Sequence, residues 1–299
     1  MHRSSVVFCG LAIVFAVGAV FFGWKAYIYE PSSQLPRVEG AKVPLGLGGE
    51  IDGERKALIP ARSAVLIDGS DMSIKYEQEA FVRVPIASIT KLMTAMVALD
   101  HGLDWDAPAD ILPNEYVEGG QLLLHPGETV TVRDLFNASL LGSANNATLA
   151  YVRSLGIEKD EFVRAMNRKA VELELEQTDF KDVTGLNTKN ISTAYEVAKM
   201  AVTAFGQYPE IAEATRQGEY YFLVGGSGRE HTIKNTNKLI SENSWQAGGS
   251  KTGFLYEAGY CLVMQGAGEL SNRLGVVLGS ESEAQHFVAM EKLLQMPIP

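Results

Sequence analysis

The sequence has few residues of the kinds that bind metal ions or form disulfide bonds. Its 299 residues include two cysteines and five histidines. Cys9 lies in an apolar run and Cys261 in a segment typical of a buried strand, so a disulfide between them is implausible. Neither cysteine belongs to a Cys-x-x-Cys pair or a Cys/His cluster, and no His-Glu-x-x-His motif occurs. We therefore expect a protein that uses no metal ion and no other cofactor.

Positive charge is also scarce. The chain has 26 lysine and arginine residues against 36 aspartate and glutamate residues, which gives a formal net charge of -10. A chain of this charge repels polyphosphate, and the sequence shows no basic stripe and no platform of interleaved basic and aromatic residues. Nucleic acid is therefore excluded as an expected partner.

One long apolar run lies near the start of the chain. Residues 6–24 form 19 consecutive positions without a charge, which is long enough for a helix that crosses the hydrocarbon core of a bilayer. A cleavable signal peptide is the alternative, but Val20, Phe21 and Phe22 continue the run past the candidate cleavage site. The charge of Arg3 then favours an N-terminus in the cytoplasm.

The apolar run divides the chain into three predicted parts. Residues 1–24 form an uncleaved signal anchor that spans the cytoplasmic membrane once, and residues 25–58 form a stem rich in proline and glycine. Residues 59–299 form the folded domain, which we expect on the extracytoplasmic side. Hydrophobic residues make up 46% of the chain, enough to bury a sizeable core.

Hydrophobic periodicity predicts strands at both ends of the folded domain and helices in its middle. The predicted strands span residues 63–67, 72–76, 220–224, 249–254, 260–265 and 274–278. The predicted helices span residues 88–99, 132–141, 145–155, 160–173, 193–205 and 284–295. Thr193, with Glu196 three residues later, fits a capping box at the start of one helix. This order indicates one α+β domain whose two ends join in a single sheet.

Ser88-Ile89-Thr90-Lys91 offers a candidate nucleophile and its base. A serine hydroxyl is a weak nucleophile until a base removes its proton, and a spacing of three places Ser88 and Lys91 one helical turn apart on the same face. A lysine becomes a base when burial or another cation lowers its pKa, and the neighbouring residues here are apolar. The motif alone is weak, because such a pair is expected by chance in a chain of this length.

Two further motifs follow in chain order. Ser143-Ala144-Asn145 lies between two predicted helices, where a loop presents a hydroxyl and an amide together. Lys251-Thr252-Gly253 lies on a predicted strand, where the lysine activates a serine, the threonine hydrogen-bonds a carboxylate and the glycine lets a backbone approach. Three motifs rarely fall by chance in this order and at these intervals, so together they indicate a serine acyl-transfer site.

With these motifs the sequence resembles the penicillin-binding D-Ala-D-Ala carboxypeptidases, serine peptidases whose signatures are Ser-x-x-Lys, Ser-x-Asn and Lys-Thr-Gly. The similarity extends beyond the motifs to residues 126–135, 184–187 and 257–263. It implies a serine transpeptidase/β-lactamase-like α+β fold, in which a five-stranded antiparallel sheet is flanked by helices. An all-helical subdomain is expected to carry Ser143.

The resemblance also implies a reaction and the residues that perform it. Ser88 attacks the carbonyl, Lys91 is its base, and Ser143 with Lys251 relays a proton to the departing amine. Water then releases the acyl group. The implied substrates are peptidoglycan stem peptides, which lose their terminal D-Ala, and β-lactams are implied as covalent inhibitors of the same serine.

The same resemblance implies which residues bind the substrate. Asn145 holds its backbone and Thr252 its terminal carboxylate, while Gly253 leaves room for close approach. The backbone N–H groups of Ser88 and Phe254 hold the oxyanion. Each of these residues belongs to one of the three motifs or follows it directly.

Three alternatives stay open. Many family members recognise the terminal carboxylate with an arginine shortly after the last strand, but residues 281–286 contain none. His286-Phe287 resembles instead the endopeptidase branch, which cuts D-Ala-diaminopimelate crosslinks, although a lone histidine at a helix start is generally a surface residue. A β-lactamase is disfavoured, because no Glu-x-x-Leu-Asn segment lies between Asn145 and Lys251. A membrane-anchored β-lactam sensor without turnover is the remaining alternative.

Overall fold

The computed structural model of the protein describes residues 58–297. Its strands are β1 (Ser63–Asp68), β2 (Ile74–Gln78), β3 (Val84–Pro85), β4 (Pro108–Ala109), β5 (Val130–Thr131), β6 (Ile191–Ser192), β7 (Glu219–Leu223), β8 (Glu230–Lys234), β9 (Ala247–Leu255), β10 (Gly259–Gly266) and β11 (Arg273–Ser280). Its α-helices are α1 (Thr90–Asp100), α2 (Val132–Leu140), α3 (Asn145–Ser154), α4 (Lys159–Glu172), α5 (Ala194–Gln207), α6 (Pro209–Arg216), α7 (Lys238–Ser241) and α8 (Glu283–Leu294).

A five-stranded antiparallel sheet in the order β2-β1-β11-β10-β9 forms the centre of the fold. Strand β1 pairs with β11 along its whole length, from Ser63 opposite Leu278 to Asp68 opposite Arg273. The predicted joining of the two ends of the domain is therefore confirmed. Strand β9 lies at the edge of the sheet.

The strand predicted at residues 220–224 lies outside this sheet. It corresponds to β7, which pairs with β8 in a separate two-stranded hairpin. The periodicity did not predict β8, because its sequence Glu-His-Thr-Ile-Lys is almost wholly polar and none of its residues is buried. A strand without a buried face carries no hydrophobic signal.

The sheet separates two hydrophobic cores, because successive side chains of a strand point to opposite faces. On one face Leu66 and Val277 pack in a cluster that includes Met290 of α8. On the other face Val65 and Val276 belong to a larger cluster shared with the helices of the middle of the chain. The predicted arrangement of a sheet with helices on both faces is confirmed.

Helix α1 lies inside the larger core and is buried from Thr90 to Ala98. It contacts α2, α4, α5 and α6. Helices α2 and α3 pack against each other and are joined by a short turn that contains Ser143. The predicted helical subdomain with Ser143 between two of its helices is therefore present.

The predicted capping box at Thr193 is half formed. The Thr193 hydroxyl accepts a hydrogen bond from the backbone N–H of Glu196 at 3.1 Å, so Thr193 is the N-cap of α5. The Glu196 carboxylate, however, accepts from the backbone N–H of Gln177 and from the hydroxyl of Thr178. It ties the preceding loop to the helix instead of closing the box.

Between residues 58 and 297, none of the helices is long and apolar enough to cross a membrane. The predicted anchor, residues 1–24, lies outside the described residues. So does the predicted stem, residues 25–58, apart from its last residue.

Candidate active site

Ser88 lies on a single 3-10 turn, Ala87–Ile89, that leads directly into α1. The predicted helix thus begins two residues later than expected, and Lys91 is the second residue of α1. Ala87 has a φ of 47°, a left-handed conformation that is uncommon for a residue with a side chain. Backbone strain of this kind is concentrated at functional sites.

The amine of Lys91 lies within hydrogen-bonding distance of three oxygens. Nζ is 2.9 Å from Oγ of Ser88, 2.7 Å from Oδ1 of Asn145 and 2.6 Å from the carbonyl oxygen of Thr184. Lys91 is fully buried. The second motif therefore reaches the first through Asn145, whose Nδ2 also donates to the Glu118 carbonyl.

Three influences set the pKa of Lys91. Burial lowers it well below its ordinary value, and the charge of Lys251 lowers it further. The carboxylate of Asp182 acts in the opposite direction and raises it. Lys91 therefore has an amine that loses its proton readily, as a base for Ser88 requires.

Ser143 and Lys251 form a second hydroxyl-amine pair. Nζ of Lys251 donates to Oγ of Ser143 at 2.9 Å and to the carbonyl of Thr252 at 3.0 Å. Lys251 is 1% exposed, and burial lowers its pKa to about 7. Ser143 has a φ of 57°. Ser143 itself is therefore in the left-handed region, whereas for Ser88 it is the preceding residue, Ala87, that adopts this conformation.

Strand β9 approaches Ser88 through Gly253. A Cβ atom at position 253 would lie 2.9 Å from the backbone nitrogen of Ser88 and 3.1 Å from the carbonyl oxygen of Ile86. These distances leave no room for a side chain, which is the close approach expected of this glycine. The hydroxyl of the preceding Thr252 lies 2.6 Å from that of Thr236.

Residues 52–282 match the model of peptidase family S11, described as D-alanyl-D-alanine carboxypeptidase. The chain belongs to this family. The match covers the three motifs and all but the last helix of the described fold. The resemblance drawn from the motifs is therefore confirmed.

Curated S11 relatives include enzymes of two kinds. The D-alanyl-D-alanine endopeptidase of Pseudomonas aeruginosa is 34% identical over 77% of this chain and 75% of its own length. The D-alanyl-D-alanine carboxypeptidase DacF of Bacillus subtilis is 32% identical over 81% of this chain and 64% of its own length. This chain is thus similar to enzymes named for each of the two cleavages.

A solved structure supports the assignment of the fold. The penicillin-binding protein D2 of Listeria monocytogenes in its ampicillin-bound form aligns with a TM-score of 0.69 and 28% identity. The alignment covers 81% of this chain and 98% of that protein. The predicted penicillin-binding-protein fold is confirmed.

Phe254 and His286 belong to a row of aromatic rings beside the site. The ring of Phe254 packs at a tilt against that of Tyr260, with 4.4 Å between centroids, and Tyr260 stacks on His286 at 5.6 Å. His286 is 2% exposed, so the expectation of a surface histidine is wrong. Its ring is buried because α8 packs directly on the sheet, which the residues around it do not reveal.

The motifs did not predict four groups that contact the site or act on it by charge. The carbonyl groups of Thr184 and Glu118 and the hydroxyl of Thr236 contact site residues, and the carboxylate of Asp182 acts on Lys91 through its charge. Backbone carbonyls carry no residue-type signal in a sequence. The one available signal was the stretch 184–187, which belongs to the family resemblance.

Proposed function

We propose that this S11 family member is a peptidoglycan-modifying serine D,D-peptidase, and that it acts as a D-Ala-D-Ala carboxypeptidase. The observation that carries the proposal is the contact between the Ser88 hydroxyl and the amine of Lys91 at 2.9 Å, in a setting that buries the lysine completely. A nucleophile within hydrogen-bonding reach of a group with a lowered pKa is what acyl transfer requires.

In the proposed acylation step, neutral Lys91 takes the hydroxyl proton as Oγ of Ser88 attacks the carbonyl carbon of the penultimate D-Ala. The Asn145 amide oxygen and the Thr184 carbonyl only accept hydrogen bonds. They therefore hold the two N–H groups of the neutral amine, which leaves its lone pair directed at Ser88. The backbone N–H groups of Ser88 and Phe254 receive the negative charge that develops on the carbonyl oxygen.

The leaving group is the amine of the terminal D-Ala, and it needs a proton as the carbon-nitrogen bond breaks. Ser143 supplies that proton and recovers one from Lys251, which is 2.9 Å away. Water then attacks the ester on Ser88, and its proton passes through Ser143 to the neutral Lys251. Lys91 returns its proton to the departing oxygen of Ser88 as the shortened peptide is released. Thr252 is proposed to hold the terminal carboxylate, with its hydroxyl oriented by Thr236.

Two further properties belong to the proposal. A β-lactam carbonyl meets the same nucleophile and oxyanion donors, so β-lactams acylate Ser88 and inhibit the enzyme. Its substrate lies outside the cytoplasm, and the uncharged run of residues 6–24 supports a single membrane span there. The catalytic part, residues 59–299, is then held on the extracytoplasmic side of the cytoplasmic membrane.

An endopeptidase that opens D-Ala-diaminopimelate crosslinks is the second candidate. Residues 281–286 contain no arginine for a terminal carboxylate, and the Pseudomonas aeruginosa relative is named as an endopeptidase. A crosslink has no free carboxylate at the cleaved bond, so it does not need such an arginine. The carboxypeptidase stays first because the family model carries that name.

Mass spectrometry of defined muropeptides distinguishes the two reactions. The full chain is incubated with a monomeric pentapeptide muropeptide and, separately, with a crosslinked dimer. A carboxypeptidase releases free D-Ala from the pentapeptide, whereas an endopeptidase converts dimers to monomers. Ser88→Ala is the control and abolishes either reaction. Acylation by a fluorescent penicillin without either product would overturn the enzymatic proposal and favour a β-lactam sensor.

A further inference from the structure

The loop of residues 182–190 is built around one carboxylate. Oδ1 of Asp182 accepts hydrogen bonds from the backbone N–H groups of Thr184 and Gly185, both at 2.6 Å, and from the Thr184 hydroxyl at 3.1 Å. Oδ2 accepts from the backbone N–H of Asn187. A carboxylate has two oxygens that each accept several hydrogen bonds, so this single side chain fixes the course of the loop over six residues.

The same loop packs directly on the segment that carries the nucleophile. A Cβ atom on Gly185 would lie 2.1 Å from the carbonyl oxygen of Ala87 and 2.9 Å from the nitrogen of Ser88. The hydroxyl of Thr94, on α1, donates to the carbonyl of Val183 at 2.7 Å. The loop and the Ser88 turn are therefore in backbone contact, and a movement of one displaces the other.

The loop presents its Thr184 carbonyl to the amine of Lys91 at 2.6 Å. This carbonyl lies between two N–H groups, those of Thr184 and Gly185, that Asp182 holds. The direction in which the carbonyl points is thus fixed by the Asp182 carboxylate. This carbonyl and the Asn145 amide oxygen accept hydrogen bonds from the two N–H groups of the neutral amine. The Thr184 carbonyl therefore helps to direct the lone pair of Lys91 at Ser88.

Asp182 also acts on Lys91 by its charge. The amine faces the Ser88 hydroxyl, the Thr184 carbonyl and the neutral amide of Asn145 on α3, and the charged groups that act on it are Lys251 on β9 and Asp182 on the loop. Lys251 and burial lower the pKa of Lys91, and Asp182 raises it. Asp182 therefore limits how far the basicity of the amine falls.

We propose that Asp182 is a positioning residue for acylation, which holds the Thr184 carbonyl against Lys91 and supplies the negative charge that opposes Lys251. The inference rests on the proposed function, because it takes Lys91 as the base for Ser88. Asp182 itself touches neither Ser88 nor the substrate. It acts through the loop and through its charge.

The test compares the full chain with Asp182→Asn and Asp182→Ser. Asparagine keeps the shape of the side chain without its charge, and serine keeps a small acceptor that forms a similar turn. Asp179→Asn is the matched control, since Asp179 lies three residues earlier and its carboxylate pairs with the exposed amine of Lys181. The second-order rate constant for acylation by a fluorescent penicillin is measured across pH 5 to 10.

We expect both Asp182 variants to show two changes. The maximal rate constant falls by about tenfold or more, because the base is weaker and less well oriented. The acidic limb of the pH profile moves to lower pH by roughly half a unit or more, because the pKa of Lys91 falls when the nearby anion is removed. Asp179→Asn changes neither quantity.

Three results would overturn the inference. The first is an unchanged pH profile of the acylation rate constant. The second is a lower maximal rate constant with an acidic limb that does not move. The third is that both variants are already unfolded at the assay temperature, as measured by circular dichroism. The second and third assign Asp182 a purely structural role. Failure of the proposed function is distinguishable, because in that case the unmodified protein releases no free D-Ala from the pentapeptide and opens no crosslinked dimer, whether or not penicillin acylates it.

Discussion

Lys91 and Lys251 bring two amines into one buried site, and the arrangement has a cost in stability. Each is at most 1% exposed, and burial lowers the pKa of both. A buried ammonium has lost its water, so protonation of either lysine disfavours the folded state. The same burial makes both amines release a proton more readily, which suits proton transfer.

We expect Lys251→Met to stabilise the folded protein, most strongly below pH 7. Burial lowers the pKa of Lys251 to about 7, whereas a lysine in an unfolded chain keeps a pKa of about 10.4. Between these two pH values Lys251 binds more protons in the unfolded state than in the folded state. Lys251 therefore makes the free energy of unfolding of the unmodified protein rise by about 1 kcal/mol for each unit of pH. Methionine binds no proton, and the stabilisation by Lys251→Met therefore shrinks toward pH 10.

Urea unfolding at several pH values between 6 and 10 measures this difference. Lys181→Met is the control, since the side chain of Lys181 is 45% exposed and pairs with Asp179 at the surface. Its effect should vary much less with pH. If the free energies of unfolding of Lys251→Met and the unmodified protein differ by a constant amount over this pH range, the lowered pKa of Lys251 is contradicted.

Strand β9 forms one wall of the site, and its distance from the nucleophile is set by Gly253. We expect Gly253→Ala to lower the rate of acylation by a fluorescent penicillin about a hundredfold, because the added methyl group must displace the strand or the backbone of Ser88. The fold should persist, since overpacking by one methyl group costs about 1 to 3 kcal/mol.

Gly206→Ala is the matched control for this substitution. Gly206 lies in α5, and a Cβ atom there would meet nothing within 4 Å. Alanine is also the better helix former, by about 1 kcal/mol. Gly206→Ala should therefore keep the full acylation rate with equal or higher stability. Normal acylation of Gly253→Ala would show that the close contact with Ser88 is not needed.

For the chain as a whole, we expect residues 1–24 to determine where the protein resides. When the full chain is produced in bacteria, it should be found in the membrane fraction and should resist extraction by high salt, which removes proteins held by charge alone. A variant whose residues 1–24 are replaced by a cleavable export signal should be soluble outside the cytoplasm. Labelling by a fluorescent penicillin follows both proteins. Recovery of the full chain in the soluble fraction would contradict the anchor.

The sequence alone determined most of the elements and the residues of the site. Helices α2 to α5 and α8, and the strands of the main sheet, follow from local periodicity, because their buried faces recur at fixed spacing. Ser88, Ser143 and Lys251 were identified because each lies in a short motif of fixed form. The hairpin strand β8 was missed because it is polar and has no buried face, and helix α6 was missed because its eight residues are too few for a periodic pattern to stand out.

Only the tertiary structure decided the environment of those residues. The pKa of Lys91 depends on burial and on the charges of Lys251 and Asp182, which lie more than 90 positions away in the sequence. Likewise, His286 is buried because α8 packs on the sheet, and Gly253 lies against Ser88 because β9 is the edge strand nearest to it. Residue types and spacing specify which groups are available for chemistry. Burial, charge and distance are properties of the packed chain, and they set what those groups do.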